Sequence, residues 1–344
     1  MSVGPLRVAP GRLSDRLRLG WRFKTGDAVM SSPVVDGAGR VFVGSADGSV
    51  YAVRLADGRK LWSFKTRDEV EATPRLVGGA VVIGSADGSL YALDAATGKQ
   101  RWKYATEDKI LGGANAGPAP GGRGGVRVVV GSYDNRVHCV DAATGKRIWV
   151  YETDNYVNGT PALGGGRVFV GGCDGLLHVI DFATGKRVRA IPVGEYVAGS
   201  ATVDGRNAYV GHYGNAVVCV DTAAGRIVWT YRERGFPYFS TPAVTADRVV
   251  LGGRDRQVHC IDRRTGKGVW LFRTRGKVDS SPVVCDGKVV VGSEDGRLYM
   301  LGLADGKERW SYVVGRPVMS SPCVVNGTVL IGADDGFLYA FRGA

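Results

Sequence analysis

Four side chains have the chemistry to move a proton where this sequence is rich in turns: Glu71, Glu195, Asp279 and His212. General acid–base catalysis needs a carboxyl or imidazole held within reach of a substrate. No spacing pairs any two of the four, so acid–base chemistry on a small organic substrate is an alternative expectation. Six cysteines occur without a CxxC pair or any other metal-ligand spacing, and no metal site is expected. His138, His178 and His259 recur at one place within strands and read as structural.

A second set is suited to binding. Tyr133, Tyr156, Tyr196, Tyr213, Tyr238 and Phe239 fall in predicted turns, with Asn158 and Arg254 among them. Aromatic rings combine a large apolar face with, in Tyr, a polar tip, which suits an organic ligand or a peptide. These residues form the expected ligand-binding group, with Glu71, Asp279 and Arg254 setting its polarity.

The elements that position both sets are repeats. A glycine ends a short apolar run at Gly44, Gly84, Gly131, Gly171, Gly211, Gly252, Gly292 and Gly332, in steps of 40, 47, 40, 40, 41, 40 and 40. Within the cleanest unit, Val81–Trp102, strand-forming runs alternate with the turns Asp87-Gly88 and Thr97-Gly98-Lys99, and Gly takes the positive φ that such turns need. A Ser/Thr-Pro pair opens the innermost strand in six units, with Gly113-Ala114 and Ser200-Ala201 in the other two. A period near 40 with four short strands per unit predicts an all-β, eight-bladed β-propeller of four-stranded antiparallel blades. The last unit stops at Phe341-Arg342-Gly343-Ala344, before a fourth strand, and Trp21-Arg22-Phe23-Lys24 supplies one. The N-terminal strand is therefore expected to complete the last blade and close the ring, removing an open sheet edge. Residues 1–19 read as a basic N-terminal tail and 20–344 as a single propeller. The one long step comes from Gly117–Gly125, a loop expected on the bottom face.

With strands A to D per blade, the D-to-A and B-to-C connections share one face, the top, and the channel mouth opens there. The residue three before each proline forms a ring at that mouth: Met30, Glu71, Leu111, Asn158, Ala198, Phe239, Asp279 and Met319. Packing does not require that variety. Blades three to six are aromatic there, and the remaining sector is charged. Blade five departs furthest from the pattern, with Arg189 in place of a recurrent Trp, Ile191-Pro192 in place of an aromatic strand, and His212-Tyr213-Gly214-Asn215 at the turn.

The segment Ala92-Leu93-Asp94-Ala95-Ala96-Thr97-Gly98-Lys99-Gln100-Arg101-Trp102 resembles the tryptophan-docking motif of pyrroloquinoline-quinone (PQQ)-like, or BamB-like, propeller repeats, and Ala52–Trp62, Cys139–Trp149 and Cys260–Trp270 repeat it. The resemblance implies that the indole packs between adjacent blades. It brings in quinoprotein dehydrogenases, an outer-membrane assembly lipoprotein and sensor propellers. Quinone sites of the family hold a vicinal disulfide and a calcium ion, and no two cysteines here are adjacent; no cofactor, PQQ included, is expected.

The formal charge is +12, but the cations Lys60, Lys99, Lys146, Lys186, Arg226, Lys267 and Lys307 belong to one turn of the repeat, and they spread around a rim. No specific nucleic-acid partner and no membrane partner is expected. Residues 1–20 carry no apolar run, and the thiols are unpaired; both point to a cytoplasmic location. The expected product is a monomeric binding or scaffold protein that grips a small organic molecule or a peptide or protein segment at the top funnel. A purely structural interaction module is the third expectation.

Overall fold

A computed structural model describes residues 6–121 and 124–344. Among them every regular element is a strand, and the strands form eight antiparallel sheets in the order of the repeat. The first blade runs from Val34 to Lys65 and the seventh from Val283 to Val313. Leu17–Lys24 pairs antiparallel with Phe337–Gly343, so the N-terminal strand is the outermost strand of blade eight and closes the ring.

The period of the glycines has a steric cause. A Cβ on Gly84 would collide with Ile110, which the next connection lays across it, and the same holds for Gly44 under Val70 and Gly332 under Val29. Only a residue without a side chain lets each D-to-A connection sit that close to its neighbour. The recurrent indoles close the outer half of every interface but that between blades four and five, where Arg189 stands. Trp62 donates from Nε1 to the Ala95 carbonyl at 3.1 Å, and Trp102 donates to the Ala142 carbonyl at 3.0 Å. Six of the seven rings lie against the turn glycine of the following blade, as Trp62 does at Gly98. Apolar side chains are thereby buried in layers between blades: Phe42 and Trp62 of blade one pack with Ile83 and Tyr91 of blade two, and Tyr209 and Trp229 pack with Leu251 of blade six.

The inner strands are tied around the channel by hydroxyls. The Thr241 amide donates to Ser281 Oγ at 2.8 Å, the Ser281 amide to Ser321 Oγ at 3.0 Å, and the Ser321 amide to Ser32 Oγ at 3.2 Å. This is why a Ser or Thr precedes the proline: its oxygen accepts from the inner strand of the preceding blade, satisfying an amide that no fifth strand would pair.

Two placements differ from the sequence reading. Arg189 and Ile191-Pro192 lie in Arg187–Pro192, the outer strand of blade four, and Arg189 reaches across to the Gly225 turn of blade five. The residues read as a basic tail also include an ordered piece. Val8–Ala9 pairs in parallel with Val284 and Cys285 on the inner edge of blade seven, and the Leu6 carbonyl accepts from the Val244 amide of blade six at 2.9 Å. Arg7, at φ 56°, donates from Nε to the Pro282 carbonyl at 2.9 Å and from Nη2 to the Ser281 carbonyl at 2.8 Å. The Gly117–Gly125 loop joins the first two strands of blade three; its residues 122–123 lie outside the described residues.

Candidate functional site

The channel mouth encloses a cavity of about 440 Å3. Of the ring of eight, Glu71, Leu111, Asn158, Ala198 and Phe239 line it, together with Arg7 from the N-terminal segment and Arg75 from blade two. Asn158 is engaged in the wall, its Nδ2 donating to the Ala198 carbonyl at 3.1 Å. Glu71 is half-buried, and its carboxyl is pushed up to about 7, by burial first and then by the neighbouring Glu69 carboxyl, with Lys109 acting in the opposite sense. Burial penalises the charged carboxylate, and the like charge nearby adds to that penalty.

The expected aromatic residues form an arc over blades three to six. Tyr133 and Tyr156 stack with ring centroids 4.9 Å apart. Tyr196 lies 6.4 Å from Tyr213, and Tyr213 lies 5.6 Å from Phe239. The Arg254 guanidinium sits 3.7 Å over the Phe239 ring, and its Nη2 donates to Asp279 at 2.7 Å. The B-to-C turns place Tyr133, Tyr213 and Arg254, and the D-to-A connections place Tyr156, Tyr196, Phe239 and Asp279, so the two sets of connections meet on one face. The rings remain open to solvent: Tyr156, Tyr196 and Tyr213 are 46%, 51% and 53% exposed.

Several expected site residues lie elsewhere. Tyr238 is 1% exposed, packed among Tyr209, Trp229, Tyr231 and Leu251. It occupies the place over Gly211 that Val or Ile fills in every other blade, so it is a core residue and not part of the arc. His212 is also buried. Its Nδ1 accepts from the Gly214 amide at 3.1 Å, and burial, reinforced by Arg232, lowers its pKa. Enclosed and bonded to its own turn, this imidazole is not among the residues lining the mouth cavity. Glu195 is exposed at the rim, and Asp279 is held by Arg254. Among the described residues no hydrogen bond joins any two of the four expected proton carriers; Glu195 and His212 are neighbours, both next to Gly214 at the blade-five turn, while Glu71 and Asp279 stand in other blades.

The recurrent histidines do have a structural role. His138 accepts or donates at Nδ1 to Tyr104 Oη (2.9 Å) and meets Asp134 at Nε2 (3.0 Å). His178 and His259 repeat this with Tyr151 and Asp174, and with Tyr231 and Asp255. In other blades a Tyr bonds the turn Asp directly, as Tyr91 bonds Asp87 at 2.5 Å. The imidazole lengthens that link by one member, and an aromatic hydroxyl of the preceding blade completes it.

Sequence reasoning missed a cationic groove across the top of blade six, about 760 Å3 in volume, lined by Arg234, Phe236, Arg256, Arg273, Arg275 and Lys277. The signal was present: where Gly follows Asp in most B-to-C turns, blade six has Asp255-Arg256. The residues at hand do not fit a calcium-held quinone. Among the described residues no three His, Cys, Asp or Glu side chains converge, and all six cysteines are free.

A family model described as outer membrane protein assembly factor BamB matches residues 15–117, 109–190, 174–276 and 254–344. Among solved structures, BamB from Moraxella catarrhalis superposes with a TM-score of 0.78 at 22% identity, over 95% of this chain and 100% of that one. The computationally designed Ika8 protein gives 0.79 at 18% identity, over 94% and 99%. A europium-containing methanol dehydrogenase gives 0.81 at 16% identity, over 98% and 96%. At these identities the likeness is one of fold. No curated protein matches the sequence. The family match overturns the cytoplasmic expectation, since the family is described by a role at the outer membrane. That expectation rested on the opening residues and on unpaired thiols, and thiols buried singly in separate interfaces carry no information on redox compartment. With four matches running from residue 15 to residue 344, this chain belongs to the BamB family of outer membrane protein assembly factors.

Proposed function

We propose that the chain is a protein-binding scaffold that holds a segment of a partner protein on its top face. The observation that carries this reading is the aromatic arc from Tyr133 to Phe239, in which Tyr156, Tyr196 and Tyr213 are exposed. Rings of this size are rarely left solvent-exposed side by side without a partner, and Tyr is favoured at interfaces because a rigid ring buries area at little entropic cost. The family's description as an assembly factor supports a protein partner over a small metabolite. Arg254 and Asp279 close the arc with a bidentate ion pair, a rim that orients a polar backbone.

The test is selection of binders from a displayed library of twelve-residue peptides, followed by fluorescence polarisation with the purified protein. Tyr213→Ala with Phe239→Ala is expected to weaken selected peptides by at least about tenfold, as loss of central aromatic anchors does, at unchanged melting temperature. Peptides that bind this variant as they bind the wild type would place the site elsewhere.

A further inference from the structure

We propose that the groove across blade six receives an acidic, extended segment of a partner protein; this deepens the scaffold reading and rests on it. The groove begins at Arg254, beside the aromatic arc, and runs outward between the connection holding Phe236 and the one holding Arg275. Arg234, Arg256, Arg273, Arg275 and Lys277 are exposed. Among the described residues no side chain of the five is joined to a carboxylate, although the Arg275 backbone amide donates to Asp295 at 2.9 Å; the groove's one ion pair is Arg254 with Asp279. Its carboxylates do not answer the excess, because Asp255 is buried and bonded to His259 and Gln257, which leaves Glu294 on the far wall. Like charges gathered this closely repel one another, and a ligand with several negative charges relieves that repulsion.

Arg256 gives the groove an origin in something other than chance surface charge. It has φ 66°, a left-handed conformation that a residue with a Cβ adopts at a cost. The equivalent positions Gly48, Gly88, Gly175, Gly296 and Gly336 are glycine, with φ between 76° and 80°. The backbone of Arg256 does the same work as theirs: its carbonyl accepts from the Thr274 amide at 2.9 Å, as the Gly48 carbonyl accepts from Thr66 at 2.8 Å. The fold therefore has no use for the arginine side chain, and the strain it brings points to a role at the surface.

A peptide fits better than a nucleic acid. A phosphate backbone needs a cationic track that continues, whereas this groove is stopped inward by the Arg254–Asp279 pair and faced by Glu294. Phe236, 49% exposed, adds one apolar contact, not a row of stacking platforms.

The experiment uses the intact protein and a fluorescein-labelled peptide of alternating Glu and Ala, eight residues long. A Gln/Ala peptide of the same length, an eight-nucleotide oligothymidylate and inorganic triphosphate are the comparison probes. The Glu peptide is expected to bind with an affinity that falls with salt, and the Gln peptide is not. Arg256→Gly is expected to weaken binding by about threefold to tenfold while raising the melting temperature, because it restores the unstrained residue. Arg275→Glu is expected to weaken it by at least about tenfold. Tyr213→Ala alone, which leaves the Phe239 ring under Arg254 in place, should leave the Glu peptide within twofold, so failure of the arc and failure of the groove are separate results. Equal binding of Glu and Gln peptides, tighter binding of the oligonucleotide or of triphosphate, or wild-type affinity in both groove variants would overturn the proposal.

Discussion

The contact between each indole and the next blade's turn glycine can be weighed by a matched pair of substitutions. Gly98 and Gly225 occupy the same turn in blades two and five, at φ 73° and 71°. Alanine at either site takes on the same left-handed strain, about 1 kcal/mol. The difference lies in what the new methyl meets. At Gly98 it would stand 2.7 Å from Cδ2 of Trp62, whereas at Gly225 the nearest atom is Nη1 of Arg189, at 3.1 Å. The indole is wedged between sheets and hydrogen-bonded, so it can yield only by moving a blade interface, and overpacking of that kind costs about 1–3 kcal/mol. The end of an arginine side chain swings aside at little cost. Gly98→Ala is therefore expected to destabilise by about 3 kcal/mol and Gly225→Ala by about 1 kcal/mol.

The assay is equilibrium unfolding in urea, with midpoints compared at constant slope so that the shift reports stability. Trp62→Ala supplies the second half of the cycle: it should lose about 3–5 kcal/mol alone, and adding Gly98→Ala to it should cost only the backbone strain. Equal midpoint shifts for the two glycine variants, or full additivity of Gly98→Ala with Trp62→Ala, would refute the idea that the indole is what the glycine accommodates.

Other expectations follow from single groups. The raised pKa of Glu71 means that the folded state binds its proton more tightly than the unfolded chain, so the stability it contributes is complete below about pH 4.5 and is lost as pH rises through about 7. Glu71→Gln, measured by melting temperature against pH, should remove that decline between pH 4.5 and 7; an unchanged slope would show that the carboxyl is solvated. Burial lifts the thiols of Cys139 and Cys260 to about 12 and those of Cys219 and Cys323 to about 11, while Cys173 alone of the six is only half-buried. Titration with a thiol reagent at pH 8 should count one fast thiol in the native protein and six in denaturant, and Cys173→Ser should abolish the fast one. Arg7→Ala removes two charge-assisted hydrogen bonds to inner-strand carbonyls and should cost on the order of 1–3 kcal/mol; hydrogen exchange at Val244 and Val284, whose amides bond the same segment, should quicken in step.

How far the sequence could be read followed from how directly each residue answers a backbone demand. The glycines ending each second strand were legible because a Cβ there has no room, and the Ser/Thr-Pro pairs because an inner-strand amide needs their oxygen. The blade count came from those constraints together with the recurrent Trp, and ring closure from the strand that the last unit lacks and Trp21–Lys24 supplies. Tyr238 was misread because its neighbour Phe239 does face the funnel, and position along the connection does not tell the two apart. A finer comparison would have separated them: the place of Tyr238 is Val29, Val70, Ile110, Val157, Val197, Val278 and Val318 in the other blades, which marks it as core. His212 looked like a free turn residue because the polar type was weighed without its burial. Arg189 was assigned to blade five because the repeat was cut one strand too early.

The top face differs from the wall beneath it in what holds it together, and that difference is the ground for placing function there. Below the mouth, each blade is joined to the next by contacts that any member of the repeat can make: a Val over a Gly, an indole under a carbonyl, a hydroxyl on an amide. At the mouth the corresponding positions hold Glu71, Asn158, Phe239 and Asp279, and no common contact unites them. Residues that the fold leaves unconstrained become informative only where neighbours agree with one another. Tyr133 with Tyr156, Tyr196 with Tyr213, and Phe239 under Arg254 do agree, each pair joining a B-to-C turn to a D-to-A connection. The groove beyond Arg254 agrees in charge as the arc agrees in apolar surface. An extended segment crossing from one to the other would bury its apolar residues on blades three to six and its carboxylates on blade six. A chimeric peptide that carries both should bind more tightly than either half by a factor set by the effective concentration of the second contact. If its affinity equals that of the better half alone, the two surfaces serve separate partners.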